Sequence, residues 1–149
     1  MFDLVIADHV LFYCEDIPQV LAECRRVLKD EGRFLCSTYG KQHMREITDL
    51  VQQFHKEIVL SAEVLYERFG LENGENLLAP YFSEIQMRRY EDAIEIAEAE
   101  PLISYILSCH GNQNQLLLNQ YKEFREFVSA RVADGFHITK DAGIFLCRK

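Results

Sequence analysis

The chain has 149 residues, of which 48% are hydrophobic, seven are glycine and three are proline. A chain of this length and apolar content buries roughly two-thirds of its unfolded surface in one domain, which excludes an intrinsically disordered segment. The net charge is -8 and the pI is near 5.1, so the phosphates of DNA and RNA would repel the chain, and no run of Lys and Arg forms a basic stripe. We therefore expect a single domain over residues 1–149 without a nucleic-acid partner.

The cysteines and the first residues indicate the compartment. The five cysteines are odd in number, widely spaced and mostly set among apolar residues, as reduced thiols are: Cys14, Cys24, Cys36, Cys109 and Cys147. The first residues carry Asp3 and Asp8 and no basic region, which argues against a signal peptide, and no apolar run reaches membrane-spanning length. These features predict a soluble, cytoplasmic protein without a membrane partner.

The first predicted elements are a strand, a helix and a second strand. Phe2–Phe12 is a nearly continuous apolar run rich in branched residues, typical of a strand buried on both faces of a parallel sheet. Asp16 is the predicted N-cap of a helix, with Gln19 three residues later and Gly32 as its left-handed stop. A short strand over Arg33–Ser37 follows. This order predicts parallel strands joined by a right-handed crossover, and hence an α/β fold.

Helical spacing and turn residues divide the rest of the chain. The predicted elements are a helix over 42–58, a shorter helix capped by Ser61 and ending at Gly70, a helical turn over 75–79, an edge strand over 83–90, a helix over 98–109, a long helix from 116 to 135, a short extended run over 136–139, a turn around Asp141–Gly143, and a strand over Ile144–Cys147.

Two parts of this sequence resemble class I S-adenosylmethionine-dependent methyltransferases. The opening Phe2-Asp3-Leu4-Val5-Ile6-Ala7-Asp8-His9-Val10-Leu11, followed by Leu21, Arg26-Val27-Leu28-Lys29 and Gly32-Arg33-Phe34, looks like the segment that joins the fourth and fifth strands of that family. The ending Thr139-Lys140-Asp141-Ala142-Gly143-Ile144-Phe145 looks like the closing hairpin strand of its small-molecule branch.

The resemblance implies a fold. We expect a partial Rossmann-like methyltransferase fold, with a mixed sheet of about four strands in the family order 4, 5, 7, 6 and helices on both faces. The seventh strand is antiparallel in that family. Residues 42–80 take the place where the family inserts its helical lid or substrate cap, so we expect such an insertion there.

The resemblance also implies an activity, which is the transfer of a methyl group from S-adenosylmethionine to a small molecule. The family's Gly-rich turn and ribose-binding acid precede the fourth strand, and the seven glycines here contain no Gly-x-Gly pattern. We therefore expect the carboxyl-terminal half of a domain, inactive as an isolated chain. The alternative is a non-catalytic oligomerisation or regulatory remnant. Methyl transfer needs mainly alignment of the reacting atoms, so no catalytic residue is assigned.

Candidate cofactor-binding residues end the first predicted strand. Open parallel sheets bind ligands outside the carboxyl ends of their strands, which places Ala7, Asp8 and His9 at such an edge. The resemblance implies that this stretch lies beside the sulfonium centre. The competing interpretation is that Asp8 caps a turn and His9 is a structural histidine.

Candidate substrate-binding residues are Tyr13, Tyr39, His43 and Tyr66. Tyr39 and His43 follow the second strand, and Tyr66 belongs to the predicted cap. An imidazole such as that of His43 can accept a proton from a nucleophile, although an exposed helical histidine fits the same pattern. Arg88 and Arg89 suit either an anionic substrate or a solvated strand edge. The remaining histidines lack metal-ligand spacing, so no metal site is predicted.

The first strand carries a further expectation about partners. A half-sheet leaves its outer strand unpaired and its apolar face uncovered where other helices would have packed. We therefore expect self-association, with a dimer that pairs the Phe2–Phe12 strands across a two-fold axis.

Overall fold

Four strands are separated by one or more helices in the computed structural model, which describes residues 1–61 and 64–149. The strands are β1 (Phe2–Asp8), β2 (Leu28–Tyr39), β3 (Ser83–Ile96) and β4 (Phe136–Arg148). The helices are α1 (Ile17–Val27), α2 (Arg45–Phe54), α3 (Leu65–Arg68), α4 (Gly74–Leu78), α5 (Ala99–Ser108), α6 (Gln113–Leu117) and α7 (Tyr121–Val132), with a 3₁₀ helix at Leu11–Tyr13. The predicted α/β class is confirmed. No helix within the described ranges has the length and apolar composition needed to cross a membrane.

The four strands form one sheet in the order β1-β2-β4-β3, which leaves β1 and β3 at its edges. β1 and β2 are parallel, with Val5 opposite Phe34 and Ala7 opposite Cys36. β2 and β4 are antiparallel, and Cys36 lies opposite Phe145. The predicted mixed sheet, in which the last strand of the chain inserts antiparallel beside the second, is confirmed.

Helix α1 begins as predicted and ends earlier. The Asp16 side chain accepts a hydrogen bond from the Gln19 backbone N–H at 2.9 Å, which satisfies one of the free donors of the first turn. The helix ends at Val27 because Leu28 is extended and fully buried as the first residue of β2. Gly32 lies inside β2, so its predicted role as a left-handed helix stop is wrong. The left-handed glycine is Gly135, with φ of 94°, in the turn between α7 and β4.

The carboxyl-terminal elements differ from prediction at two points. The predicted long helix over 116–135 is two helices, α6 and α7. The predicted turn around Asp141–Gly143 is absent, since β4 is continuous through it. The ladder explains the second difference: Ala142 and Gly143 lie opposite Tyr39 and Thr38 of β2, so pairing with the longer strand keeps this stretch extended.

The chain divides into two compact units, each with its own core. Unit 1 comprises Met1–His43, Val64–Glu91 and Asp141–Lys149; its core includes Phe34 and Phe82, whose rings stack at 4.8 Å. Unit 2 comprises Met44–Glu63 and Asp92–Lys140, and Phe124 and Val128 are fully buried in it. The predicted lid over residues 42–80 contributes to both units, and its role stays a prediction.

Strand β1 is buried on one face only. Val5 and Ala7 pack on the core of unit 1, whereas the alternate side chains Phe2, Leu4 and Ile6 are 57%, 49% and 59% exposed. The expected burial on both faces is therefore wrong. The second face is exposed because β1 lies at the edge of the sheet, and the described residues place no helix over the side chains of Phe2, Leu4 and Ile6.

Candidate functional site

The carboxyl ends of β1 and β2 meet at one edge of the sheet because the two strands are parallel. Their register places Asp8 opposite Ser37. His9 then takes a left-handed conformation, with φ of 50°, which ends the strand. Histidine is one of the few non-glycine residues enriched there, although the conformation still costs free energy. This backbone turn holds the His9 ring at the carboxyl edge of the sheet.

Asp8, His9 and Ser37 form a closed hydrogen-bonded triangle. The Ser37 hydroxyl donates to the Asp8 carboxylate and accepts the backbone N–H of His9 at 2.9 Å. The His9 Nδ1 lies 2.5 Å from Ser37 Oγ and 3.0 Å from Asp8 Oδ1. Donation from Ser37, together with the His9 ring, holds the pKa of Asp8 below its ordinary value. Asp8 is therefore a carboxylate at neutral pH.

An aromatic cluster, formed by His9, Phe12, Tyr13, Tyr39 and His43, adjoins this triangle. The Tyr39 ring lies at its centre, 4.4 Å from the His9 ring and 4.3 Å from the His43 ring, with Phe12 stacked on it at 5.7 Å. Tyr13 joins through Phe12, at 4.7 Å. Burial raises the pKa of Tyr39, and Tyr13 and Asp8 add to the shift. The Tyr39 hydroxyl therefore stays protonated at neutral pH.

The buried carboxylate of Asp141 fixes the loop that follows β2. It accepts the backbone N–H of Gln42 at 3.1 Å and lies 3.2 Å from the Nε of Arg89, while the Asp141 N–H donates to His43 Nδ1 at 3.1 Å. Arg89 also pairs with Glu72 at 3.0 Å. Arg89, a candidate for substrate binding or for a solvated edge, thus forms ion pairs with Asp141 and Glu72. The bond from Asp141 occupies the Nδ1 lone pair of His43.

The structure brings most of the predicted site residues together. Asp8, His9, Tyr39 and His43 are joined by the contacts above, and Tyr13, 65% exposed, lies at the outer end of the aromatic cluster. Ala7 is buried beneath the edge in the core of unit 1. Tyr66 is half-buried on α3, which packs against the 3₁₀ helix and β2. The assignment of these residues to cofactor and substrate stays a prediction.

Two residues that sequence analysis did not select hold this site together. Ser37 was the last residue of the second predicted strand, and parallel register would have placed it beside Asp8. Asp141 carried no such signal, because its stretch was predicted as a turn. Its partner Gln42 is 99 positions away in the chain, and only the β2–β4 pairing joins them.

The described residues give little support to a metal site or to a cysteine nucleophile. No group of three or more His, Cys, Asp or Glu side chains within residues 1–61 and 64–149 is arranged to hold a metal ion. Burial raises the pKa of the Cys36 thiol and raises that of Cys147 to about 12, so neither forms a thiolate nucleophile at neutral pH.

Comparisons with known proteins find sequence similarity over the first part of the chain. Residues 1–36 match the family model described as a methyltransferase domain. The biotin biosynthesis bifunctional protein BioHC of Saccharophagus degradans is 38% identical over 48 residues, which are 32% of this chain and 9% of that protein. The chain thus spans less than a tenth of this curated relative.

The similarity to solved structures extends over the whole chain. A putative methyltransferase of Bacillus halodurans is 10% identical, with a TM-score of 0.54, over 99% of this chain and 64% of that one. A Haemonchus contortus phosphoethanolamine N-methyltransferase 2, solved with S-adenosyl-L-methionine, is 16% identical, with a TM-score of 0.45, over 99% of this chain and 33% of that one. The Bacillus halodurans structure shows that the fold is shared.

Proposed function

We propose, from the relationship of this chain to the class I S-adenosylmethionine-dependent methyltransferases, that it supplies the carboxyl-terminal half of a domain that methylates a small molecule. The observation that carries the proposal is the edge built by Asp8, His9 and Tyr39 at the carboxyl ends of parallel strands, where such sheets bind ligands. The remaining half, with the Gly-rich turn, would complete the site.

The residues of this edge fit one end of the family's cofactor, S-adenosylmethionine. Its sulfonium carries a positive charge, which is attracted both to a carboxylate such as that of Asp8 and to the faces of aromatic rings such as Tyr39. When bound, the cofactor supplies an electrophilic methyl group. The chain's own residues would position its sulfonium end, and the rings of Tyr13 and His43 would line the acceptor's side.

Binding of the cofactor tests this proposal residue by residue. In amide NMR spectra of the 149-residue chain, S-adenosylmethionine is expected to shift the signals of residues 8, 9, 12 and 39, with a Kd near the millimolar range, or about -4 kcal/mol, because half of the site is present. Asp8→Asn should weaken this binding severalfold. Asp3→Asn, which changes an exposed carboxylate at the other end of β1, should leave it unchanged.

Shifts confined to other residues, or none at 10 mM cofactor, would favour the second candidate function, a non-catalytic module for self-association. That candidate rests on a separate observation. Phe2, Leu4 and Ile6 present exposed apolar side chains on the same face of an edge strand. A second copy, paired antiparallel across a two-fold axis, would cover these side chains and satisfy the free backbone groups of β1.

Self-association through β1 predicts a charge-sensitive dimer. The wild-type chain is expected to have twice its monomer mass of 17.4 kDa in sedimentation equilibrium at tens of micromolar. Ile6→Lys should return it to the monomer mass, because two ammonium groups would be brought into one apolar interface. Leu118→Lys is the matched control, since Leu118 is 76% exposed on unit 2. Equal masses for the two variants would exclude β1 as the interface.

A further inference from the structure

The hydrogen-bonded triangle at the carboxyl edge fixes where the His9 ring carries its proton. Ser37 Oγ has one hydrogen, and its closest acceptor is the Asp8 carboxylate. If Ser37 instead donated to His9 Nδ1, the Asp8 carboxylate would face two lone pairs with no hydrogen between, that of the hydroxyl oxygen and that of the unprotonated Nδ1 at 3.0 Å. An ionised Asp8 excludes that arrangement by electrostatic repulsion.

The consistent arrangement places the proton on Nδ1. The Ser37 oxygen then accepts two hydrogen bonds, from the backbone N–H and from the Nδ1–H of His9, and donates its own hydrogen to Asp8. Every donor in the triangle has an acceptor. The other ring nitrogen, Nε2, is left with its lone pair, which makes it the basic atom of a neutral imidazole.

This geometry differs from that of a serine nucleophile. In a catalytic triad the serine and the carboxylate contact opposite nitrogens of the imidazole, so the serine gives its proton to the ring. Here Ser37 and Asp8 both lie on the Nδ1 side, and the serine proton points to the carboxylate. Ser37 and Asp8 therefore orient His9, and the triangle does not activate Ser37.

We infer that His9 is the proton acceptor of the methyl-transfer site, with the Nε2 lone pair directed at the methyl acceptor and with Asp8 and Ser37 as positioning residues. The inference rests on the proposed function. Three features of His9 favour this role: its location at the carboxyl end of β1, a strained backbone that fixes the ring, and a side chain about one-third exposed.

The proton transfer balances without a further reagent. The bond between the acceptor's nitrogen or oxygen and its hydrogen breaks, the proton bonds to Nε2, and the electron pair stays on the heteroatom. The imidazolium that forms is adjacent to the Asp8 carboxylate, which stabilises its charge. The proton then returns to water from the exposed ring.

Long-range ¹H–¹⁵N NMR of the histidine rings tests the inference in the 149-residue chain. A neutral histidine in water carries its proton mainly on Nε2, so the expected result for His9, an Nδ1–H form as the major tautomer, is distinctive. Ser37→Ala should shift the population toward Nε2–H, and Ser37→Thr, which keeps the hydroxyl, should restore it. Asp8→Asn should likewise shift the His9 population toward Nε2–H. Asp3→Asn is its matched control and should leave the His9 tautomer unchanged.

The nucleophilicity of Nε2 supplies a second measurement. Diethyl pyrocarbonate acylates unprotonated imidazole nitrogens, and peptide mapping by mass spectrometry should find His9 modified at least threefold faster in the wild type than in Ser37→Ala. An Nε2–H tautomer in the wild type, or equal tautomers and acylation rates in both proteins, would overturn the inference. The cofactor titration described above reports separately on the proposed function, because it follows binding and not the His9 tautomer.

Discussion

Replacing Gly111 with alanine is expected to lower the free energy of unfolding by about 3 kcal/mol, the upper end of the cost of overpacking. An added Cβ would overlap the carbonyl oxygen of Val59 and lie 2.6 Å from its carbonyl carbon. Those atoms are backbone, and two hydrogen bonds hold them in place. The Asn112 N–H donates to the Val59 carbonyl oxygen at 3.0 Å, and the Val59 N–H donates to Asn112 Oδ1 at 2.8 Å. The strain therefore has no flexible side chain to absorb it.

Thermal unfolding measures this effect. A loss of this size should lower the Tm by roughly 6–12 °C for a chain of this length. Gly135→Ala is the matched control, since, apart from its chain neighbours, no atom of residues 1–61 and 64–149 lies within 4 Å of its added Cβ. Only the left-handed backbone is strained there, at about 1 kcal/mol. Hydrogen exchange should also accelerate at Val59 and Asn112 in Gly111→Ala. A Tm equal to that of Gly135→Ala would contradict this prediction, because it would show that the backbone at Val59 moves away from residue 111 without a cost in stability.

The second large effect is expected at the site. Gly40→Ala should cost about 2 kcal/mol, because the Asp141 carboxylate must move and charge-assisted hydrogen bonds are lost. The added Cβ would overlap Oδ2 of this carboxylate, which accepts the Gln42 N–H, and would lie 2.7 Å from Oδ1, which pairs with Arg89. The same movement should detach the Asp141 N–H from His43, which would change the His43 ring signals in NMR spectra.

A double-mutant cycle separates this cause from a general intolerance of alanine at residue 40. If the carboxylate is the obstacle, Gly40→Ala should cost less than about 0.5 kcal/mol in a chain that already carries Asp141→Ala. Urea unfolding of the four proteins gives the coupling free energy. An equal cost in both backgrounds would mean that the backbone conformation, and not Asp141, requires glycine.

Local signals in the sequence predicted much of the frame around the site. The Asp16 cap, the helix behind it and the two flanking strands follow from adjacent residues, because capping and hydrophobic periodicity act within a few positions. The end of α1 did not follow, since Leu28 gains more from burial in the sheet than the helix gains from continuing to Gly32. The predicted long helix is likewise interrupted, because three residues, 118–120, separate the end of α6 from Tyr121, where α7 begins.

The site itself was only partly predictable. Asp8, His9, Tyr39 and His43 follow predicted strands, and topology alone brings strand ends together at one edge. The sequence could not indicate that the Ser37 hydroxyl would meet the Nδ1 of His9, 28 positions earlier in the chain. It also could not indicate that Asp141 would cross to Gln42, because β4 looked like a turn at that point.

The sequence by itself determined the order of the elements, the carboxyl-edge position of Asp8 and His9, and the apolar character of β1. Short-range patterns carry this information, because side-chain size, charge and periodicity act on neighbours in the chain. Tertiary structure decided which groups meet: the β1–β2 register closes the Asp8, His9 and Ser37 triangle, and β4 brings the Asp141 carboxylate against Gly40. A shift of one residue in a strand's register would reverse the faces of its side chains, so such contacts depend on the whole sheet.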